Sequence, residues 1–151
     1  GKTNVLVGAA DEHVPFLETL QPKLISNKYP LSTGASFFAL SSEKNKIGVK
    51  AVKTNFKSTS TQEDFENFLS DQNIALSDID VILSSSDAVE IPSTCETIDF
   101  LNFSGLHYSA SAFALHIAHD YLIDKKKKSA LIINDMCSGK TGFMLVQSDE
   151  A

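Results

Sequence analysis

Histidine side chains give this chain its best opportunity for acid–base chemistry, because imidazole titrates near neutral pH. His107 is the strongest of the four, since it lies just before a segment of helical spacing that begins near Ser109. In that position it could act as a general acid or base. It could also be a partly buried side chain that bonds to the backbone at the helix start. We favour this structural interpretation and keep His107 as a catalytic candidate.

The other histidines suggest metal binding, but only by spacing. His116 and His119 lie three residues apart on one helical segment, and such a pair can bind a metal ion on a helix face. No third ligand follows at a recognisable spacing, so no metal and no cofactor are predicted. His13 follows Asp11 and Glu12 and could form a metal or acid–base cluster. A structural role for that acidic turn is favoured.

Hydroxyl and thiol groups could supply a nucleophile. Ser84, Ser85 and Ser86 follow a predicted strand. No G-x-S-x-G turn surrounds them, so hydrogen bonding at the strand exit is expected. Cys95 and Cys137 lie far apart without a C-x-x-C partner, which argues against a zinc site or a disulfide framework. Nothing near Cys137 marks it as an activated thiol.

The segment Gly139–Thr141 (GKT) has the ending of a phosphate-binding loop, which requires G-x-x-x-x-G-K-[ST]. The first glycine of that motif would fall at position 134, which is Asn134. A strand rather than a helix is also predicted after the turn. We therefore do not assign a phosphate-binding loop.

The composition is that of an ordinary globular domain of 151 residues, 42% of them hydrophobic. The net charge is −6 and all 13 basic residues are lysines, whereas nucleic-acid-binding faces are rich in arginine. No nucleic-acid partner is predicted, and the run Lys125–Lys128 is expected to be a solvated helix end. No apolar stretch approaches the ~20 residues of a membrane span, and no signal peptide is visible. A cytoplasmic protein is predicted.

The hydrophobic periodicity predicts alternating strands and helices. Strands are predicted at Asn4–Ala9, Ala35–Leu40, Ile47–Phe56, Ile79–Leu83, Ala130–Ile133 and Gly142–Gln147, and helices at Val14–Leu24, after Thr61, at Pro92–Phe100 and at Ser109–Ile123. Ile47–Phe56 is expected to form a hairpin with the strand before it. Thr61 is expected to cap its helix, with Asp64 completing a capping box. The nearly continuous apolar run Ile79–Leu83 predicts a central strand covered on both faces.

Several of these segments follow one another in an order typical of one enzyme family. They are VLVGAADE at Val5–Glu12, TGASFFAL at Thr33–Leu40, DIDVILSSSDAVEIPSTCE at Asp78–Glu96, SGLHYSASAFAL at Ser104–Leu115 and ALIINDMCSGKTGFMLV at Ala130–Val146. In this collinear order, over nearly the whole chain, the sequence resembles the carboxy-terminal part of a β-ketoacyl synthase of the thiolase-like superfamily.

The resemblance implies a thiolase-like α/β fold, a layered mixed sheet with buried helices, that is incomplete relative to a full synthase. The chain would hold the end of the amino-terminal half at 1–57 and the carboxy-terminal half at 58–151, in one compact unit. A truncated sheet leaves apolar edges, so a homo-oligomer or a hetero-oligomer with a synthase subunit is expected. The family also implies an acyl carrier protein and an acyl chain as partners.

The family condenses acyl chains with a nucleophilic cysteine and two histidines. By the resemblance, the cysteine would precede Gly1. The position of the first histidine is matched by Ser85, with Glu96 at a later acidic position of the family. The position of the second histidine is matched by Leu106, and His107 follows it directly. The resemblance therefore implies that the usual condensation chemistry is missing.

Three hypotheses about the function remain open. The missing residues favour a fragment or a non-catalytic partner of the chain-length-factor type. Met136, Cys137 and Gly139, in the turn that shapes the active site in the family, would then be substrate-binding candidates. A second reading is a small standalone α/β binding or interaction domain that has kept the fold. A third is an enzyme that uses His107 with new partners, and it is the least favoured.

Overall fold

The computed structural model describes residues 4–12, 14–16, 28–43, 45–57, 59–137 and 140–149, without the side chains of residues 136 and 137. Within them lie β1 (Asn4–Asp11), β2 (Gly34–Ser41), β3 (Ile47–Asn55), α1 (Thr61–Asp71), a 3₁₀ turn (Leu76–Asp78), β4 (Val81–Ser84), β5 (Glu96–Ile98), α2 (Leu101–Ser104), α3 (Ala110–Asp124), β6 (Ser129–Cys137) and β7 (Lys140–Ser148). Five strands form a mixed sheet in the order β3-β7-β6-β4-β5, and β1 and β2 form a second sheet. The predicted α/β class is confirmed.

Strand β4 lies inside the five-stranded sheet, parallel to both β5 and β6. All four of its residues are buried, which confirms the predicted central strand. Successive side chains of a strand point to opposite faces. Val81 and Leu83 accordingly join one hydrophobic cluster, and Ile82 joins another on the other face. The sheet is therefore the middle layer of a three-layer arrangement.

Helix α3 covers the first face with small side chains. Its buried residues, Ala110, Ala114, Ala118 and Leu122, recur every four positions and so form one stripe of the helix. They join the cluster that contains Val81 and Leu83, which confirms the predicted small-sided interior helix. Within the described residues, no helix combines the length and the apolar character that crossing a bilayer requires.

Helix α1 covers the opposite face with aromatic side chains. Phe68 is completely buried and stacks on Phe143 of β7, with ring centroids 5.4 Å apart. Phe65 approaches the same ring, with a centroid distance of 6.3 Å. Aromatic pairs of this kind contribute about 0.5–1.5 kcal/mol beyond the burial of their area. They fix α1 on the sheet and thereby place its N-terminus beside the ends of β4 and β6.

The N-terminal cap of α1 is Ser60, whose Oγ accepts a hydrogen bond from the backbone N–H of Glu63 at 3.2 Å. The predicted cap at Thr61 is wrong by one residue, because the Thr61 hydroxyl donates to Asp135 Oδ2 instead. Asp64, the expected partner in the capping box, accepts hydrogen bonds from side chains of β3 and β7. Both polar side chains therefore bond to distant elements of the chain and do not form the local cap.

The hairpin predicted between Ala35–Leu40 and Ile47–Phe56 is wrong. β2 pairs antiparallel with β1 along its whole length, whereas β3 pairs antiparallel with β7. Alternating hydrophobicity shows that a segment is extended but does not say which strand edge it will join. β3, which precedes the predicted division at 57/58, therefore shares a sheet with strands that follow it. The division itself stays a prediction.

The short helix predicted at Pro92–Phe100 is also wrong. This segment contains β5, which pairs with β4 from Val81↔Glu96 to Leu83↔Ile98, and α2 begins only at Leu101. β-Branched residues suit a strand, and β4 offers an edge with which they can pair. The predicted helix Val14–Leu24 lies almost entirely outside the described residues.

Candidate functional site

Polar side chains gather where β4 ends, at the carboxyl edge at which open α/β sheets usually bind ligands. Ser84 is buried, and its Oγ accepts a hydrogen bond from the backbone N–H of Ser86 at 3.2 Å. Ser85 Oγ donates to Asp99 Oδ1 at 2.8 Å, and Ser86 Oγ donates to Asp135 Oδ2 at 2.8 Å. Because side chains alternate along an extended segment, neighbouring serines reach two different carboxylates.

Asp99, directly after β5, is the centre of the first network. Its Oδ1 accepts from Ser85 and from the backbone N–H of Leu101 at 3.2 Å. Its Oδ2 accepts from the hydroxyl of the buried Tyr29 and lies 3.6 Å from Lys28 Nζ. One partly buried carboxylate therefore joins the chain segment before β2 to the exits of β4 and β5.

The electrostatics of this network decide what it can do chemically. Burial raises the pKa of Asp99, but hydrogen bonds from Tyr29 and Ser85, the charge of Lys28 and the N–H of Leu101 outweigh it, and the pKa stays below its ordinary value. Burial, and then the hydrogen bond to Asp99, raise the pKa of Tyr29. Such a carboxylate is anionic at neutral pH and a weak base, and an activated nucleophile needs a base that takes its proton. Ser85 is thus held but not activated.

A second network ties the N-terminus of α1 to the sheet. Asp135 Oδ2 accepts from Thr61 at 3.3 Å as well as from Ser86, which follows β4. Asp64 accepts from Asn55 Nδ2 at 2.7 Å and from the buried Thr141 at 3.1 Å. Negative charge is favourable at a helix N-terminus because of the helix dipole. These contacts hold the ends of β3, β4, β6 and β7 together.

His107 lies between the β1–β2 sheet and the start of α3, and its side chain is 4% exposed. Its Nδ1 is 3.0 Å from Ser109 Oγ and 3.7 Å from Asp11 Oδ2, and the backbone N–H of Ser109 donates to the same carboxylate oxygen. These are the residue types of a catalytic triad. In a triad, however, serine and aspartate bond to different ring nitrogens. Here both lie at Nδ1, so no proton relay passes through the ring.

Of the His107 ring atoms, Cε1 lies closest to the position that a Cβ on Gly34, at the start of β2, would take. A Cβ placed on Gly34 would lie 2.5 Å from Nε2 and 2.7 Å from Nδ1. The imidazole therefore fills the space that any other residue would need.

The segment before β2 fixes this placement. Leu106 donates its N–H to Pro30 O at 2.8 Å and accepts from the N–H of Ser32 at 3.0 Å. Gly105 has φ +68°, and a Cβ there would lie 3.0 Å from Pro30 O, so the turn requires glycine. Leu106 consequently enters the core, whereas His107 points toward the β1–β2 sheet.

The histidines of α3 are engaged by other side chains. His116 stacks on Phe38 of β2, with ring centroids 4.3 Å apart. His119 Nδ1 lies 2.9 Å from Asp120 Oδ1. Over the described part of the chain, no group of three or more His, Cys, Asp or Glu residues could hold a metal ion.

The predicted substrate-binding turn lies at the limit of the described structure. Met136 and Cys137 end β6, but their side chains are not described, and Gly139 lies outside the described residues, as does His13. Their predicted roles stay predictions. Cys95 is a partly buried free thiol that packs against the hydrophobic cluster beneath α1.

Glu96, which the resemblance predicts at an acidic position of the family, lies in β5 and accepts a hydrogen bond from the Tyr121 hydroxyl at 2.5 Å. Asp99 is the carboxylate that bonds to Ser85. Sequence reasoning missed both Asp99 and its donor Tyr29. A signal for Asp99 existed, because it directly follows a short β-branched segment, but the erroneous helix at 92–100 concealed that strand exit.

The Glu96–Tyr121 contact predicts an unusual titration. Burial, and then the hydrogen bond to Glu96, raise the pKa of Tyr121 to about 12 from its ordinary value of 10.0. Because the pKa of Tyr121 is higher in the folded state than its ordinary value, the contact contributes its full stabilisation at pH values below that ordinary pKa. This stabilisation is lost as the pH rises through about 12. Tyrosinate absorbance should show this late ionisation.

Two variants check the assignment of that ionisation. Tyr121→Phe should remove it, and Glu96→Gln should move it to lower pH, since the carboxylate charge opposes formation of tyrosinate. An unchanged late ionisation in Tyr121→Phe would contradict the assignment.

Comparisons of the chain with protein-family models, with curated proteins and with solved structures gave no significant match.

Proposed function

We propose that this chain is the carboxy-terminal part of a β-ketoacyl synthase-like protein and takes part in acyl chain assembly without catalysing condensation itself. Its fold would be an incomplete thiolase-like arrangement. Its partners would be an acyl carrier protein, the acyl chain that this protein carries, and a synthase subunit or a second copy of the chain. The collinear order of the sequence motifs supports the family. The hydrogen bond of Ser85 to Asp99 and the burial of His107 support the non-catalytic role.

The observation that carries the non-catalytic role is the burial of His107 against Gly34. A general acid or base must come within hydrogen-bond reach of the proton that it transfers. The ring is 4% exposed, lies near Ser109 and Asp11 at Nδ1 and occupies the space beside Gly34. At the other family position, Ser85 is bonded to a carboxylate of lowered pKa. The burial of the His107 ring and the hydrogen bond of Ser85 to Asp99 both support the non-catalytic role.

A small α/β binding or interaction domain is the alternative, and one observation favours it. A cleft of about 800 Å³ opens between β2, β3 and α3, within the ~300–1,000 Å³ that ligand sites usually have. This cleft lies apart from the carboxyl edge of β4. A binding module would use the cleft and would show no dependence on acyl groups.

The test measures chemistry and binding separately. The purified protein is mixed with malonyl- and acyl-loaded carrier protein, and carbon dioxide release and protein acylation are followed by mass spectrometry. We expect neither product from this chain, but we expect binding to the acyl-loaded carrier protein that is stronger than binding to the unloaded carrier. The unloaded carrier is the matched control for the acyl group.

Two outcomes would overturn the proposal in different ways. Carbon dioxide release that disappears in His107→Ala would make the chain an enzyme and would refute the non-catalytic role. Failure to bind either form of the carrier protein or a condensing synthase subunit would refute the acyl-assembly role and would leave the binding-domain alternative.

A further inference from the structure

The cleft between the two sheets is bounded by strand edges. It is lined by the consecutive residues Phe37–Ser41 of β2 and Ile47–Lys50 of β3. Successive residues of a strand point to opposite faces. A cleft that contacts all of them must therefore run along the edges of the strands and not over one face. Helix α3 closes it with one stripe of side chains, those of Leu115, His116, His119 and Ile123.

β2 and β3 each have one edge whose backbone groups are not paired with another described strand. Among the described strands, β2 pairs only with β1, and β3 pairs only with β7. An edge strand exposes a row of N–H and C=O groups that another strand can bind. β2 has no charged residue, no proline and no bulge along Gly34–Ser41, and these are the features that usually block edge pairing. β3 carries Lys50 at a register shift, so β2 is the more receptive edge.

The size of the cleft matches a single strand. One residue of a strand in a packed sheet occupies roughly 3.3 × 4.8 × 10 Å, or about 160 Å³, so a cleft of about 800 Å³ holds about five residues. This equals the length of β2 that lines it. A second copy of the chain would have to bring its paired β1 and β2 together.

The charges along the cleft are balanced. Lys46 and Lys50 are matched in number by Glu43 and Asp149. The phenylalanines of β2 and the leucine and isoleucine of α3 provide apolar surface between the charged groups. An uncharged segment fits this lining without leaving an unpaired ion.

We propose that this cleft binds an extended, uncharged segment of a partner polypeptide, about five residues long, which adds a strand to the edge of β2 that no described strand occupies. The main chain supplies the binding and the apolar lining selects the side chains at alternate positions. The proposal goes beyond the acyl-assembly role and does not depend on it.

The first test uses a fluorescent, uncharged pentapeptide of alternating valine and threonine, because valine at alternate positions suits the apolar lining and threonine adds no charge. We expect saturable binding below about 1 mM and slower amide hydrogen exchange along β2. A peptide with N-methyl groups on its alternate amides keeps the side chains but loses donors on one edge, so it should bind at least tenfold more weakly. Absence of binding up to about 1 mM, or equal binding of the two peptides, would overturn the proposal.

A protein variant provides the second test. A Cβ on Gly48 would meet only the side chain of Lys50, at 3.7 Å, so Gly48→Trp should fold and partly fill the cleft. Val52→Trp is the matched control, since Val52 lies on β3, is 61% exposed and does not line the cleft. We expect peptide binding at least tenfold weaker for Gly48→Trp and unchanged for Val52→Trp. Equal affinities for these two variants would place the peptide elsewhere.

Discussion

Replacing Gly34 with alanine is expected to lower the free energy of unfolding by about 1–3 kcal/mol, the usual effect of overpacking a core. The new Cβ would lie 2.5 Å from Nε2 of His107 and 2.7 Å from its Nδ1. The ring cannot withdraw easily, because its side chain is 4% exposed and Nδ1 is engaged by Ser109. The β1–β2 sheet must then move away from α3. Urea unfolding gives the free energy, and hydrogen exchange shows whether β2 loosens first.

Two further proteins control this prediction. Gly48→Ala is the matched substitution, because its Cβ meets only Lys50 at 3.7 Å, and it should change the free energy by less than about 0.5 kcal/mol. In a His107→Ala background, the Gly34→Ala change should be less destabilising by about 1–2 kcal/mol, as residues in contact couple. Equal effects of Gly34→Ala in both backgrounds would show that the ring is not what meets the new methyl group.

Replacing Asp99 with alanine is expected to lower the free energy of unfolding by about 2–4 kcal/mol. The carboxylate accepts from Tyr29, Ser85 and the backbone N–H of Leu101 and is 23% exposed. Its removal leaves several donors without their acceptor at a site that water reaches poorly. Asp87→Ala is the matched control. Asp87 also lies near Lys28, at 3.7 Å, but is 91% exposed, so its removal should change stability little.

The pH dependence identifies the charge of Asp99 as the cause. Its pKa lies below the ordinary value of 3.8, so its stabilisation is complete above that value and is lost as the pH falls through the folded-state pKa. Wild-type protein should therefore lose more stability on acidification than Asp99→Asn. Asp80 keeps some acid sensitivity in both proteins, because hydrogen bonds from Lys128 and Ser129 and the charge of Lys127 overcome its burial and lower its pKa. Identical acid profiles would refute the role of Asp99.

Local patterns determined those parts of the fold that local chemistry controls. The apolar run at 79–83 specified a central strand, because a strand buried on both faces consists almost entirely of apolar residues. The small residues at helical spacing from Ala110 to Ala118 specified a buried helix, because one buried stripe requires such spacing. Residue type and spacing do not indicate which strands pair with each other. β2 and β3 are adjacent in sequence yet belong to different sheets.

The candidate site was only partly predictable for the same reason. The sequence marked the polar exit at Ser84–Ser86 and the histidine at His107, since both are unusual residue types beside apolar segments. Their partners come from distant parts of the chain. Tyr29 and Asp99 are 70 positions apart, and Ser109 and Asp11 are 98 positions apart. No local pattern could have joined them.

By itself, the sequence determined the α/β class, the buried central strand and the small-sided helix. Only the tertiary structure decided that His107 is enclosed by Gly34, that Ser85 is bound to an anionic carboxylate and that two strand edges face one cleft. The physical reason is that residue type and spacing encode burial and backbone conformation. Protonation, access and pairing depend on which distant groups the packed chain brings within a few ångströms.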